Sequence, residues 1–276
     1  MLIDAHHHLW KYNEHDYVWM TGAMTSLRRD FLIPELNAAM SASGVEGTVA
    51  VQARQTTGET DWLLELSARH PFILGVVGWI PLCDPDATAH LDRFAASPKL
   101  KGIRHVLHDE PNDFFMLRGD FNRGVSLLSR LGLAYDILIF ERHLPQTIQF
   151  VDRHPNQVFV VDHIAKPRIR GGALSPWREY IRELAKRECV YCKVSGMATE
   201  ADWNNWTTAQ LRPYFDVVLS AFGPKRLMFG SDWPVLTLAA DYSRWAETFR
   251  SWIAELSPAE QESICHETAR AAYRLR

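Results

Sequence analysis

The residues best equipped for chemistry stand at opposite ends of the chain. The opening MLIDAHHHLW holds His6 and His8 one residue apart, and GSDWP near the other end holds Asp232. On a β-strand successive side chains alternate between faces, so His6 and His8 share one side while His7 faces the other. Two imidazoles so placed can bind one metal ion, with Asp4 beneath them as an interior group that orients them. Asp232 can complete the ligand set or take a proton from water beside it. Other readings stand beside this one: three adjacent histidines also suit a tag remnant or a solvent-facing run, HxH occurs as a packed pair, and an Asp can simply cap the next element.

Where the other polar residues fall separates these readings. Eight short β-branched or apolar runs begin at Leu2, Thr48, Ile73, Lys101, Leu133, Val158, Val190 and Arg226, with longer segments of helical period between them. Most of these runs close on a polar or aromatic group. Gln52, Trp79, Arg104-His105, Asp162-His163 with Lys166-Pro167 beyond, Lys193 to Gly196, and Ser231 to Pro234 stand at such ends, and the fifth run carries Asp136. A buried strand end does not tolerate such groups without a partner or a task. Alternating strands and helices predict a single (β/α)8 TIM barrel over residues 1–276, and in that fold the strand C-termini converge on one catalytic face. Any one of these residues alone reads as a satisfied structural group; together they read as a shared site.

The helices that must hold the strands are legible from apolar spacing. Trp177, Tyr180, Ile181, Leu184 and Ala185 follow the helical period behind Ser175-Pro176, which supplies a cap and a first-turn proline. Leu144, Ile148 and Val151 mark a helix ending before His154-Pro155, and Leu211 through Phe222 mark one that stops at Gly223-Pro224. Trp245, Phe249, Trp252 and Ile253 mark a helix after the eighth strand, and Ser257-Pro258 predicts a last one. The aromatic stretch from Trp10 to Arg29 lacks helical period and reads as a long loop on the catalytic face.

Composition narrows the partners. Hydrophobic residues at 47% and charged ones at 23% suit a soluble domain with a large core, and a net charge of −3 offers nothing that attracts nucleic acid or an acidic membrane. A small molecule is the expected partner, with self-association left open. The start of the chain lacks the pattern of a targeting peptide, so a cytoplasmic location is expected. Cys189 and Cys192 form a lone CxxC on a strand, where residues three apart face opposite sides, and read as structural.

The segments DAHHHLW, VAVQARQTTGETDWLLEL, GVVGWIPL, LKGIRHVLHDEP, VVDHIAKP, CKVSGMATEADW and LMFGSDWPV resemble, in order, the TIM-barrel amidohydrolase-related family that contains L-fuconolactonase and L-rhamnonolactonase. That resemblance implies hydrolysis of a sugar-acid lactone. It puts His6, His8, His163 and Asp232 at metal or catalytic positions, with Asp232 as base. The bridging lysine and second histidine pair of two-metal relatives are missing here, so one divalent ion, zinc by ligand type, is the expected maximum, and some relatives of this pattern dispense with it. Arg104 is the natural contact for a carboxylate or sugar hydroxyl, Gln52, His105 and Lys193 add hydrogen bonds, and Trp79 and Trp233 either stack on a ring or pack. Two rivals share these residues: a metal-dependent decarboxylase, and a non-catalytic sugar-acid binding barrel.

Overall fold

The computed structural model describes residues 1–276. Its parallel strands are β1 Ile3–His7, β2 Gly47–Val51, β3 Ile73–Gly78, β4 Leu100–Val106, β5 Ala134–Leu138, β6 Phe159–Val161, β7 Val190–Val194 and β8 Leu227–Phe229. They pair in sequence order from β1 to β8. Between β8 and β1 the ladder is reduced to a short seam, in which the Asp232 amide donates to the His6 carbonyl at 2.8 Å and the His8 amide to the Trp233 carbonyl at 2.6 Å. The seam closes the sheet into the TIM barrel that the alternation predicts.

Strand alternation divides the core in two. Ala5, Val49, Val51, Val77 and Val160 face the barrel interior, whose lower end is covered by Ala269, Ala272 and Tyr273 near the C-terminus. Their neighbours along the strands face outward and meet helix residues such as Leu36, Leu63, Phe150, Ile181 and Phe249. Each such side chain, fully buried, stabilises the fold by about 1.5–3 kcal/mol.

The helices expected from apolar spacing form at Leu144–Asp152, Trp177–Leu184, Thr208–Phe222 and Tyr242–Ile253. One start differs from expectation: Pro176, not Ser175, occupies the cap position of the second of these, and no side chain caps it. The Trp177 indole, donating to the Ile164 carbonyl at 2.7 Å, anchors that end instead. Ser257 and Glu260 form a capping box for the last helix, which runs from Pro258 through a π turn at Ser263–Glu267 to Tyr273. The loop after β1 contains a 3₁₀ segment, Gly22–Leu27, and is pinned by the Trp10 indole donating to the Arg29 carbonyl at 2.8 Å. No helix is long and apolar enough to cross a membrane.

Candidate active site

The closing seam assembles the site. Asp232 leaves β8 with a left-handed backbone (φ 61°), which turns its carboxylate back over β1. Its Oδ1 lies 3.4 Å from His8 Nε2, 3.7 Å from His6 Nε2 and 3.8 Å from His163 Nε2, and the His6 and His8 Nε2 atoms are 3.2 Å apart. The three imidazoles that the resemblance puts at metal or catalytic positions thus meet around one oxygen of Asp232, the fourth such residue.

Each imidazole is oriented from behind. His8 Nδ1 donates to the Val51 carbonyl at 2.8 Å, and because a carbonyl only accepts, Nε2 is left with its lone pair toward Asp232. His163 Nδ1 pairs with Ser195 Oγ at 2.9 Å. His6 Nδ1 stands 3.3 Å from Asp162 Oδ1 and 3.1 Å from Lys193 Nζ. Burial keeps His163 and His6 neutral, pushing His163 down to about 4 and His6 well below the usual imidazole range. Burial alone would raise the Asp232 carboxyl, but the histidines around it, His163 foremost, hold it below the usual carboxylate range.

Two expectations about β1 divide. His7 does face away, its Nε2 3.0 Å from Thr48 Oγ1. Asp4 does not lie beneath the histidine pair. A register shift between Asp4 and His7 breaks the alternation, so Ala5 faces the barrel interior while Asp4 accepts hydrogen bonds from Ser231 Oγ and Tyr242 Oη, each at 2.6 Å. Asp4 therefore braces the seam rather than the imidazoles.

The outer end of the barrel opens into a cavity of about 300 Å³. His8, Arg104, His163 and Asp232 line it. Gln52, Trp79, His105, Lys193 and Trp233 do not. Gln52 is fully buried and braces Arg104, its carbonyl accepting from Nη2 and its Nε2 donating to the Arg104 carbonyl at 3.3 Å. His105 follows Arg104 on the strand and so faces the opposite side, where the Trp79 indole donates to it at 3.2 Å and Glu110 pairs with it at 2.6 Å. Trp233 packs edge-on against Phe31. Lys193 sits below the cavity inside the barrel, 2.5 Å from Asp136 Oδ2 and 3.0 Å from Asp162 Oδ1.

Sequence reasoning passed over several cavity residues. Trp19, Met24, Phe140, Trp203, Val235 and Leu238 form its apolar wall, and His108, Thr199 and Glu200 add polar groups beside Lys166, which the sequence marks only as lying beyond the sixth strand. Lys166 arrives there by an unusual turn: His163, Ile164, Ala165 and Lys166 all have φ between 45° and 63°. Left-handed backbone costs roughly 1–2 kcal/mol per non-glycine residue, and such strain collects at functional sites. With no glycine to mark it, the turn leaves no signal in DHIAKP. Asp162, which the sequence marks only as a strand end, holds Lys193, Arg104 Nη1 at 3.0 Å and His6 together beneath the site.

The donor set suits a single zinc ion. Ligands on a tetrahedral zinc with bonds of about 2.0–2.1 Å lie roughly 3.3 Å apart, close to the spacing of the His6, His8 and Asp232 donors. His6, Asp162 and His163 make an equally tight second group, but it shares His6 with the first, and the Asp162 oxygens are already paired with Lys193 and Arg104.

A barrel of this topology, with its histidines, carboxylate and cavity at the strand C-termini, has the architecture of the amidohydrolases, and the Amidohydrolase family model matches residues 3–275. The chain belongs to that family. It is 40% identical over 284 residues to the L-fucono-1,5-lactonase of Burkholderia multivorans, covering 99% of this chain and 96% of that one. The L-fucono-1,5-lactonase of Burkholderia ambifaria is 37% identical over 246 residues, 88% of this chain and 84% of that one. A crystal structure of a Burkholderia multivorans amidohydrolase with bound zinc superposes with a TM-score of 0.96 at 40% identity, covering 100% of both chains.

Proposed function

We propose that the protein is a lactone hydrolase that opens a sugar-acid lactone of the L-fucono-1,5-lactone type by adding water to its carbonyl. The observation that carries this reading is the Asp232 carboxylate, ringed by three imidazoles at a cavity large enough for one sugar ring, in a chain 40% identical to an L-fucono-1,5-lactonase. Asp232, ionised at neutral pH, takes a proton from water as the oxygen attacks the carbonyl carbon. Arg104, held by Gln52 and Asp162, presents positive charge to the oxygen that becomes anionic. As the acyl C–O bond breaks, Asp232 returns its proton to the departing ring oxygen, leaving a hydroxy acid. His6, His8 and Asp232 would hold a zinc ion, with His163 beside them, and bound there it would polarise the carbonyl and acidify water.

The reaction releases acid, so a pH indicator follows it directly. We expect turnover on L-fucono-1,5-lactone, with slower opening of the rhamno-, galactono- and arabinono-lactones. Failure on every lactone, or carbon dioxide release from an aromatic acid instead, would replace this reading with the decarboxylase or the binding protein.

A further inference from the structure

Two charged side chains of the cavity have no part in the water attack. Lys166, at the end of the left-handed turn after β6, and Glu200, on the loop after β7, both line the cavity with Asp232. Lys166 Nζ lies 3.8 Å from Glu200 Oε1, beyond hydrogen-bond length, and 5.5 Å from the centre of the Phe140 ring. Both backbones are tied down, the Lys166 amide donating to the His163 carbonyl at 2.8 Å and the Arg170 amide to the Glu200 carbonyl at 3.0 Å. The side chains are 20% and 24% exposed, so each has given up much of its hydration without gaining a short protein partner.

We propose that Lys166 and Glu200 form a clamp for two neighbouring ring hydroxyls, and that this clamp makes the site select polyhydroxylated lactones over bare ones. The inference rests on the reading of the cavity as a lactone site. An ammonium only donates and a carboxylate only accepts, so one hydroxyl can donate to Glu200 while its neighbour accepts from Lys166. The gap between the charges is wider than a direct hydrogen bond, which leaves both open to a ligand that bridges them. Phe140 on one side of the ammonium narrows the directions from which a hydroxyl can approach. The same strained turn carries His163 to Asp232 and Lys166 to the clamp, coupling the reacting carbonyl to the recognition of its hydroxyls.

The test is the ratio of kcat/KM on L-fucono-1,5-lactone to that on δ-valerolactone, which has the same ring and no hydroxyls. A hydrogen bond to a charged group is worth about tenfold to a hundredfold in binding. Lys166→Met and Glu200→Gln should each lower the ratio at least about tenfold, mainly through KM for the hydroxylated lactone. The double variant should lose little more than the worse single one, because a clamp with one jaw gone no longer holds a diol. Circular dichroism checks the fold, and Glu200→Gln, outside the strained turn, keeps the test decisive if Lys166→Met misfolds. A folded Glu200→Gln protein with the wild-type ratio overturns the clamp. A wild-type enzyme that opens no lactone overturns the lactonase reading beneath it, and that result is seen before any variant is made.

Discussion

In the proposed mechanism Asp232 carries the heaviest load of any single residue, because its carboxylate is the one that faces all three imidazoles. Asp232→Asn keeps the shape and removes the proton acceptor, so kcat on the lactone should fall about 10²- to 10⁴-fold with KM little changed. Near-wild-type turnover would remove it from the mechanism. The histidine triplet should divide by parity: His6→Ala and His8→Ala lose bound zinc and activity, whereas His7→Ala keeps the ion. His7 is nevertheless buried against Thr48, so its loss should cost about 1–3 kcal/mol in urea unfolding. Zinc analysis of the three purified variants checks both halves.

His108 supplies a pH test at the same scale. Burial, with the Lys166 and Arg104 charges nearby, pushes its imidazole down to about 2. The unfolded chain binds that proton near the ordinary value of about 6.5, so this residue's contribution is lost as pH falls below that value. From about pH 7.5 to about pH 5 the loss is about 2 kcal/mol, which His108→Gln should abolish. Urea curves for both proteins at the two pH values measure the difference, and equal losses would count against a neutral buried His108.

At the scale of elements, the ends of β6, β7 and β8 do the placing. Gly196, just after β7, has φ 64°, and a Cβ there would lie 2.7 Å from the His163 ring. Gly196→Ala must therefore displace His163 or the turn that carries it. We expect kcat/KM to drop by about tenfold or more, as small misplacements of catalytic groups do, with a melting point several degrees lower. Activity at the wild-type level would mean that His163 is free to move without consequence. Alternation also explains why neighbours on one strand part company: Arg104 enters the cavity while His105 turns to Trp79 and Glu110.

Across the whole molecule, the barrel interior decides the charge at the centre of the site. Lys193, Arg104, Asp136 and Asp162 form a buried network that Tyr273, from the C-terminal helix, completes by donating to Asp136 at 2.8 Å. Its two cations already pair with Asp162, the carboxylate that a second metal ion would need. Elemental analysis should accordingly find no more than about one zinc per chain; two would require Asp162 to leave Lys193 and Arg104. Chelation followed by assay then separates the roles, since a rate that collapses and returns with zinc makes the ion the electrophile, and a rate that survives leaves Asp232, the histidines and Arg104 sufficient.

What the amino-acid sequence determined was whatever depends on local periodicity. Short β-branched or apolar runs alternating with segments of helical period specified a parallel barrel, the parity of His6, His7 and His8 is visible in the order of residues, and a polar group at a strand's C-terminal end is expected at the mouth. What only the tertiary structure decided depends on where alternation breaks or on which distant groups meet. The register shift in β1 turned Asp4 to the outer side, the glycine-free left-handed turn brought Lys166 beside Glu200, and burial kept Lys193 out of the cavity in an internal ion network. Strain and charge pairing are settled by packing across the whole barrel, because a left-handed residue or a buried ammonium persists only when many non-local contacts compensate for it.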